Sequence, residues 1–203
     1  PLGHISGIIF TGQGAKMSVP SSTDATPDRS GPSSITAPAR PSPCIILIGM
    51  AGAGKSTIGE ALAKRLGWAL MDSDHLIEAV YAARLQDVTD ALGKDAFLDV
   101  EATVISAIKA NRTVIATGGS VVYREKAMRH LASLGPIVHL DVPLAIVEER
   151  IARNPQRGLA IGPGQTLNDI FMERQKLYTL YATLCCEATC KNPQQCVDWI
   201  VDN

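Results

Sequence analysis

The stretch CIILIGMAGAGKSTIGEALAKRL, residues 44–66, decides the fold. Its first five residues form an apolar run rich in β-branched side chains, which predicts a buried strand. The strand stops at Gly49, where the pattern G-x-x-x-x-G-K-S begins, and this pattern ends at Ser56. Apolar residues at helical spacing follow, and Gly67 provides a stop signal. A strand, a glycine-rich loop and a helix in this order predict a phosphate-binding P-loop.

The residue types in this loop suit a nucleoside triphosphate. Glycines let the backbone wind with its N–H groups pointing inward, which makes an anion-binding nest at a helix N-terminus. Lys55 supplies a positive charge to the β and γ phosphates, and the Ser56 hydroxyl is placed to ligate Mg²⁺. The alternative is a glycine-rich turn that binds nothing. We predict that the loop binds a nucleoside triphosphate through Gly52, Ala53, Gly54, Lys55, Ser56 and Thr57.

Composition limits the possible partners. The chain has 203 residues, 46% of them hydrophobic, with a mean hydropathy of +0.11, which suits one soluble domain with a substantial core. A formal net charge of −1 offers no electrostatic support for binding nucleic acid, and no segment is apolar over the length needed to cross a membrane. We therefore predict a small-molecule partner, no nucleic-acid or membrane binding, and a monomer or weak oligomer. An odd number of cysteines, five, in a nucleotide-using chain favours a reducing cytoplasm.

The first 43 residues differ in composition from the rest. Ser, Thr, Pro, Ala and Gly dominate residues 18–43, so little side-chain surface is available to bury. We predict that residues 1–43 form a disordered tail, with a processing remnant or an organelle-targeting segment as alternatives. The folded domain is predicted to span residues 44–203.

Two carboxylates follow the second predicted strand. A short apolar run, Trp68 to Met71, predicts a buried strand that ends in Asp72-Ser73-Asp74. Ligands of open α/β sheets sit at the carboxyl edge of the strands, so we predict one carboxylate near a metal and the other near a substrate hydroxyl. The alternative is a helix cap, because Asp74 precedes the helical run His75 to Ala83.

Strand and helix patterns alternate through the rest of the chain. Helices are predicted over residues 87–92, 95–110, 124–134, 144–152, 166–182 and 194–201, and strands over 112–116, 136–141 and 182–186. On the helix predicted over 95–110, the expected buried stripe consists of Phe97, Val100, Val104, Ile105 and Ile108. This alternation predicts a parallel sheet of about five strands with helices on both faces. The glycine- and proline-punctuated segment from Arg153 to Gln165 carries Arg157, and such loops beside a P-loop commonly close over the phosphates.

Several motifs, in order, resemble the shikimate kinases, small P-loop kinases of the nucleoside monophosphate kinase type. The motifs are G-M-A-G-A-G-K-S at 49–56, D-S-D at 72–74, T-G-G at 117–119, L-D-V-P at 140–143, an arginine-bearing lid around Arg157, and E-R-Q-K-L-Y at 173–178. The resemblance spans residues 44–203. It implies a three-layer α/β fold with strand order 2-3-1-4-5 and a mobile lid. It also implies ATP- and Mg²⁺-dependent phosphorylation of a hydroxyl on a small carboxylate, with shikimate as the first candidate.

The same resemblance implies a role for each matching residue. Lys55, Asp74 and Arg157 would be catalytic, with Asp74 binding the accepting hydroxyl and acting as its base. The implied binding residues are Ser56 and Asp72 for Mg²⁺, Gly118, Gly119 and Arg174 for the acceptor, and Arg150 with Pro193 for the adenine.

Three departures from the family pattern fall on the acceptor side. Leu98 stands where the family has a carboxylate-binding arginine, Ser120 replaces a third glycine, and Gly158 replaces a proline after the lid arginine. A second candidate acceptor is therefore another small alcohol, such as homoserine, whose ammonium could pair with Asp99 or Asp74. A third interpretation, a non-catalytic nucleotide-binding regulator, would be expected to have lost the catalytic residues, and these remain.

Overall fold

The computed structural model describes residues 43–153, 164–189 and 192–203. Five strands alternate with eight α-helices over these ranges. The strands are β1 Ile45–Ile48, β2 Ala69–Asp72, β3 Thr113–Ala116, β4 Ile137–Asp141 and β5 Leu184–Glu187. The helices are α1 Lys55–Leu66, α2 Ser73–Tyr81, α3 Leu85–Leu92, α4 Lys94–Ser106, α5 Glu125–Leu134, α6 Leu144–Arg153, α7 Leu167–Tyr181 and α8 Pro193–Asp202.

The strands form one parallel sheet in the order β2-β3-β1-β4-β5, which confirms the predicted topology. Strand β1 lies in the centre, with Ile46 in register with Ile115 of β3 and Ile137 of β4. The central position explains why the β1 sequence is apolar without alternation, since both of its faces are covered. Helices pack around the sheet, α1 against β3 and α8, and α7 against β4.

The P-loop forms the predicted turn between β1 and α1. Gly54 is the N-cap of α1 and has φ 99°, a conformation that side chains with a Cβ rarely adopt. The loop therefore delivers Lys55 as the first residue of α1, at the carboxyl edge of the central strand.

Three sequence-based expectations are corrected. Strand β2 is not buried: it forms an edge of the sheet, and Leu70 is 40% exposed. Helix α2 begins at Ser73, so Asp72 rather than Asp74 is its cap. The buried face of α4 also differs from the predicted stripe of Phe97, Val100, Val104, Ile105 and Ile108; the residues buried on this helix are Phe97, Leu98, Glu101, Ala102 and Ile105.

Several predicted features lie outside the described residues. These are the tail over residues 1–42, the segment 154–163 of the predicted lid with Arg157, and residues 190–191. The domain boundary at residue 44 and the lid therefore stay predictions. Within the described ranges, no helix is long and apolar enough to cross a membrane.

Candidate active site

A cavity of about 250 Å³ opens at the carboxyl edge of β1, β2 and β3. The P-loop lines one side of it, and the segments that follow β2 and β3 line another. The residues predicted for the site that line this cavity are Gly52, Gly54, Lys55, Ser56, Thr57, Asp72, Asp74, Gly118, Gly119 and Arg174. The structure therefore brings the predicted phosphate-binding and acceptor-binding residues into one space.

Lys55 lies on the phosphate side of the cavity and is only 9% exposed. Its ammonium group donates to the carbonyl oxygens of Gly49 and Met50, at 2.8 and 2.9 Å. These acceptors belong to the P-loop itself, so the charge is held inside the curve of the loop. A phosphate bound in that curve would meet both the lysine and the N-terminus of α1.

Ser56 and Asp72 form the oxygen pair predicted for a metal. The Ser56 hydroxyl donates to Asp72 Oδ2 at 2.8 Å, and Asp72 Oδ1 accepts from the backbone N–H of Asp74 at 3.0 Å. Two oxygens at this separation, one of them anionic, suit a hard divalent cation such as Mg²⁺. The capping bond from Asp72 also fixes the first turn of α2, and with it the position of Asp74.

Asp74 faces the cavity from that first turn. Burial, reinforced by the negative charge of Asp72, raises the pKa of its carboxyl group to about 6, and the positive charge of Lys55 opposes the rise. A carboxylate with a pKa near the working pH is well suited to accept a proton from an alcohol.

Gly118 follows β3 and lies against two carboxyl groups. A Cβ at this position would clash with Glu101 Oε1 and would lie 2.7 Å from Asp74 Oδ1, so a side chain here would displace one of these carboxyl groups. The Gly118 N–H donates to the Ser73 hydroxyl at 2.9 Å, which ties the turn after β3 to the start of α2. Backbone contact with a substrate, as predicted for Gly118 and Gly119, would have to accommodate this bond.

Glu101 is a buried acid that the sequence analysis assigns to no role. It projects from α4, is 1% exposed, and accepts a hydrogen bond from the Ser120 hydroxyl at 2.9 Å. Burial first, and then the negative charge of Asp74, raise the pKa of Glu101 to about 8. The signal that could have drawn attention to it is the family pattern Phe-Arg-x-x-Glu, whose glutamate falls at Glu101.

Arg174 enters the cavity from α7 and is 2% exposed. Its Nε lies 3.3 Å from the Tyr123 hydroxyl, and its guanidinium carbon lies 5.2 Å from the centre of the Tyr123 ring. Tyr178, one turn further along α7, donates to the Gly119 carbonyl at 2.6 Å. Neither tyrosine was predicted as a site residue: Tyr178 ends the E-R-Q-K-L-Y motif but was given no role, and Tyr123 lies outside every motif.

The remaining site predictions have mixed outcomes. Arg150 lies beside the P-loop and donates to the Gly52 carbonyl at 2.8 Å, and Pro193 is the first residue of α8. Leu98 does not line the cavity: it is 2% exposed and packs with Ile77 and Val88 in a separate apolar cluster.

The chain is similar to known proteins over most of its length. The sequence matches the family model described as shikimate kinase over residues 51–203. The chain belongs to the shikimate kinase family. It is 36% identical to the shikimate kinase of Chromohalobacter salexigens, over 78% of this chain and 90% of that protein. It is 35% identical to the shikimate kinase of Chromobacterium violaceum, over 77% of this chain and 86% of that protein.

Solved structures of shikimate kinases share the fold. The shikimate kinase of Acinetobacter baumannii in complex with shikimate superposes with a TM-score of 0.72 at 29% identity, covering 79% of this chain and 92% of that one. The Aquifex aeolicus shikimate kinase gives 0.63 at 28% identity, covering 78% and 93%. Membership of the shikimate kinase family makes this protein a phosphotransferase that uses ATP and acts on an alcohol.

Proposed function

We propose that this protein transfers the γ-phosphoryl group of ATP to a hydroxyl group of shikimate. The observation that carries the proposal is the cavity that Lys55, Asp74 and Arg174 line together. A triphosphate in the P-loop would place its terminal phosphate beside an alcohol held between Asp74 and Arg174. Relatives named shikimate kinase support the choice of acceptor.

The proposed mechanism is mainly one of positioning and charge neutralisation. Lys55 would stabilise the charge on the transferring group, and Arg157 would add a second positive charge from the lid segment. Asp74 would orient the acceptor hydroxyl and take its proton. Mg²⁺ held by Ser56 and Asp72 would supply further neutralisation of the phosphate charge when bound.

Arg174 would hold the carboxylate of the acceptor. It is the only arginine that lines the cavity in the described part of the chain. Its guanidinium is oriented by Tyr123, and a planar fork of donors matches a carboxylate in a bidentate manner. Because Leu98 stands at the position of the family arginine and is turned into an apolar cluster, Arg174 would carry out this binding without it.

The acceptor can be identified with a coupled assay of ADP release, with shikimate, homoserine and gluconate offered separately at equal concentration. We expect turnover with shikimate to exceed that with the other two by at least about 100-fold, because a site built for one set of polar groups rejects analogues strongly. Faster ADP release with homoserine than with shikimate would identify homoserine as the acceptor instead. Asp99, one of the acids considered for its ammonium, instead pairs with Arg124 at 2.7 Å and is exposed.

A nucleotide-binding regulator would give a different outcome in the same experiment. It would bind ATP in a titration and release no ADP with any acceptor. As a further part of the proposal, the enzyme works in the cytoplasm as a monomer or weak oligomer. The odd number of cysteines supports the cytoplasmic location.

A further inference from the structure

Glu101 presents an unsatisfied oxygen next to the proposed catalytic base. Its Oε2 accepts the hydrogen bond from Ser120, whereas its Oε1 is buried and has no hydrogen-bond partner in the described part of the chain. A buried carboxylate oxygen without a partner is costly, because it has lost its water. Such an atom in a native fold requires an explanation.

The position of Asp74 explains why Glu101 Oε1 has no hydrogen-bond partner. Glu101 Oε1 and Asp74 Oδ1 both lie against the same side of Gly118, where a Cβ would clash with the first and lie 2.7 Å from the second. Two ionised carboxylates placed together repel each other, whereas a carboxylic acid beside a carboxylate has one O–H to donate. Since the Ser120 hydroxyl already donates to Oε2, Oε1 is the oxygen that is free to carry a proton.

The charges around this pair do not neutralise Glu101. The positive charges of Arg174 and Lys55 lower the pKa of Glu101, but burial and the negative charge of Asp74 outweigh them. The other titratable groups near Asp74 are Asp72, His75 and Glu78. Leu98 lies three residues before Glu101 on α4. A cation at that position could pair with Glu101, but leucine is apolar and cannot. Burial and the charge of Asp74 therefore dominate and raise the pKa of Glu101 to about 8.

We propose that Glu101 is a positioning residue that remains a carboxylic acid in the active enzyme and directs a proton on Oε1 toward Asp74. The inference rests on the proposed role of Asp74 as the base. By holding Asp74 Oδ1, Glu101 leaves the other carboxylate oxygen for the acceptor hydroxyl. Glu101 itself touches neither substrate, since it lies behind Gly118 and Ser120 and does not line the cavity.

The protonation of Glu101 can be observed in the free enzyme by infrared difference spectroscopy between pH 7 and about pH 10. We expect the wild type to lose the carbonyl stretch of a carboxylic acid on going to high pH, and Glu101→Gln to lack this change. Glu60→Gln, an exposed acid on α1, is the matched control and should retain it. A wild type without the change, or a Glu101→Gln variant that keeps it, would overturn the proposal. The measurement needs no acceptor, so it stands even if shikimate is not phosphorylated.

Positioning is tested by comparing two substitutions at the same site. Glutamine keeps the shape and a donor, so Glu101→Gln should stay within about threefold of the wild-type kcat at pH 7 and should lose the decline in activity that we expect near pH 8. Leucine has no donor, so Glu101→Leu should lower kcat at least about tenfold with the KM for ATP unchanged. Equal activity of the leucine variant and the wild type would overturn the proposal, as would a glutamine variant with the wild-type alkaline decline.

Discussion

Lys55 is a nine-tenths buried cation whose acceptors are carbonyl groups of its own loop. We expect Lys55→Ala to lower kcat at least about 100-fold, because a preorganised charge aimed at the transferring group is lost. ADP release measures the effect. Lys64→Ala, which removes an exposed lysine from the same helix, should leave the rate unchanged. Full activity of Lys55→Ala would contradict the assignment of the phosphate side.

Asp74 is proposed to act in the chemical step and not in the binding of ATP. Asp74→Asn keeps the shape of the side chain but cannot take a proton, so we expect most turnover to be lost, by at least about 100-fold, while ATP affinity barely changes. Kinetics and an ATP titration on the same variant give the two quantities. Asp202→Asn, an exposed acid at the end of α8, serves as the control. An active Asp74→Asn enzyme would end the assignment of Asp74 as the base.

Binding of the acceptor carboxylate by Arg174 is expected to depend on the planar shape of the guanidinium group as well as on its charge. We expect Arg174→Lys to raise the KM for the acceptor about tenfold or more and to leave the KM for ATP unchanged, since an ammonium group lacks the planar fork that can bind a carboxylate in a bidentate manner while its Nε faces Tyr123. Arg129→Lys, at an exposed pair with Glu125, is the control. A larger effect on the KM for ATP than on that for the acceptor would place Arg174 on the wrong side of the cavity.

The residues that could be predicted from the sequence are those with a motif. The roles of Lys55 and Ser56 were predicted from the P-loop spacing. The roles of the two acids after β2 were predicted from their place at the end of a strand. Glu101 ends the family pattern Phe-Arg-x-x-Glu, but that pattern alone gives it no role, and Tyr123 lies in no motif. What makes both important is a neighbour distant in sequence. Ser120 and Arg174 supply those neighbours.

At the scale of elements, α4 brings Leu98 into an apolar cluster with α2 and α3. We expect Leu98→Ala to lower the free energy of unfolding by roughly 2–5 kcal/mol through the cavity it leaves. The KM for the acceptor should not change, because Leu98 does not line the cavity. Urea denaturation and kinetics measure the two effects, and Val80→Ala, at a 61% exposed position, is the control. A stable Leu98→Ala variant with a raised KM would show that Leu98 contacts the acceptor.

The order of elements was predictable, whereas the exposure of individual elements was less so. The run Trp68 to Met71 is apolar enough to predict a buried strand, but β2 lies at the sheet edge and is half-open to solvent. Edge position is set by strand order, which depends on contacts between distant segments rather than on the local pattern. The stripe on α4 was misassigned for the same reason, since α2, α3 and α5 decide which of its faces is covered.

At the scale of the whole molecule, a buried carboxylic acid makes stability depend on pH. The pKa of Glu101 is about 8 in the folded protein against 4.5 for the free side chain, so the folded state holds this proton more tightly than the unfolded state. Stability therefore falls as pH rises from about 4.5 to about 8 and then levels off. Glutamine cannot ionise, so we expect Glu101→Gln to gain stability relative to the wild type across that interval, by on the order of a few kcal/mol.

Urea midpoints of the wild type and Glu101→Gln at pH 5, 7 and 9 measure this difference. The gap between the two proteins should be small at pH 5 and widest at pH 9. The Glu60→Gln variant controls for the loss of an exposed acid, and its difference from the wild type should stay small throughout. A gap that does not change with pH would mean that Glu101 titrates alike in the folded and unfolded states.

The bond from Gly118 to Ser73 has a consequence for motion. It joins the turn after β3 to the first turn of α2. A displacement of α2 would therefore either move Gly118 with it or break this bond. The spacing between Gly118 and Asp74, which lies on that first turn, is held in part by one hydrogen bond at the ends of two neighbouring strands.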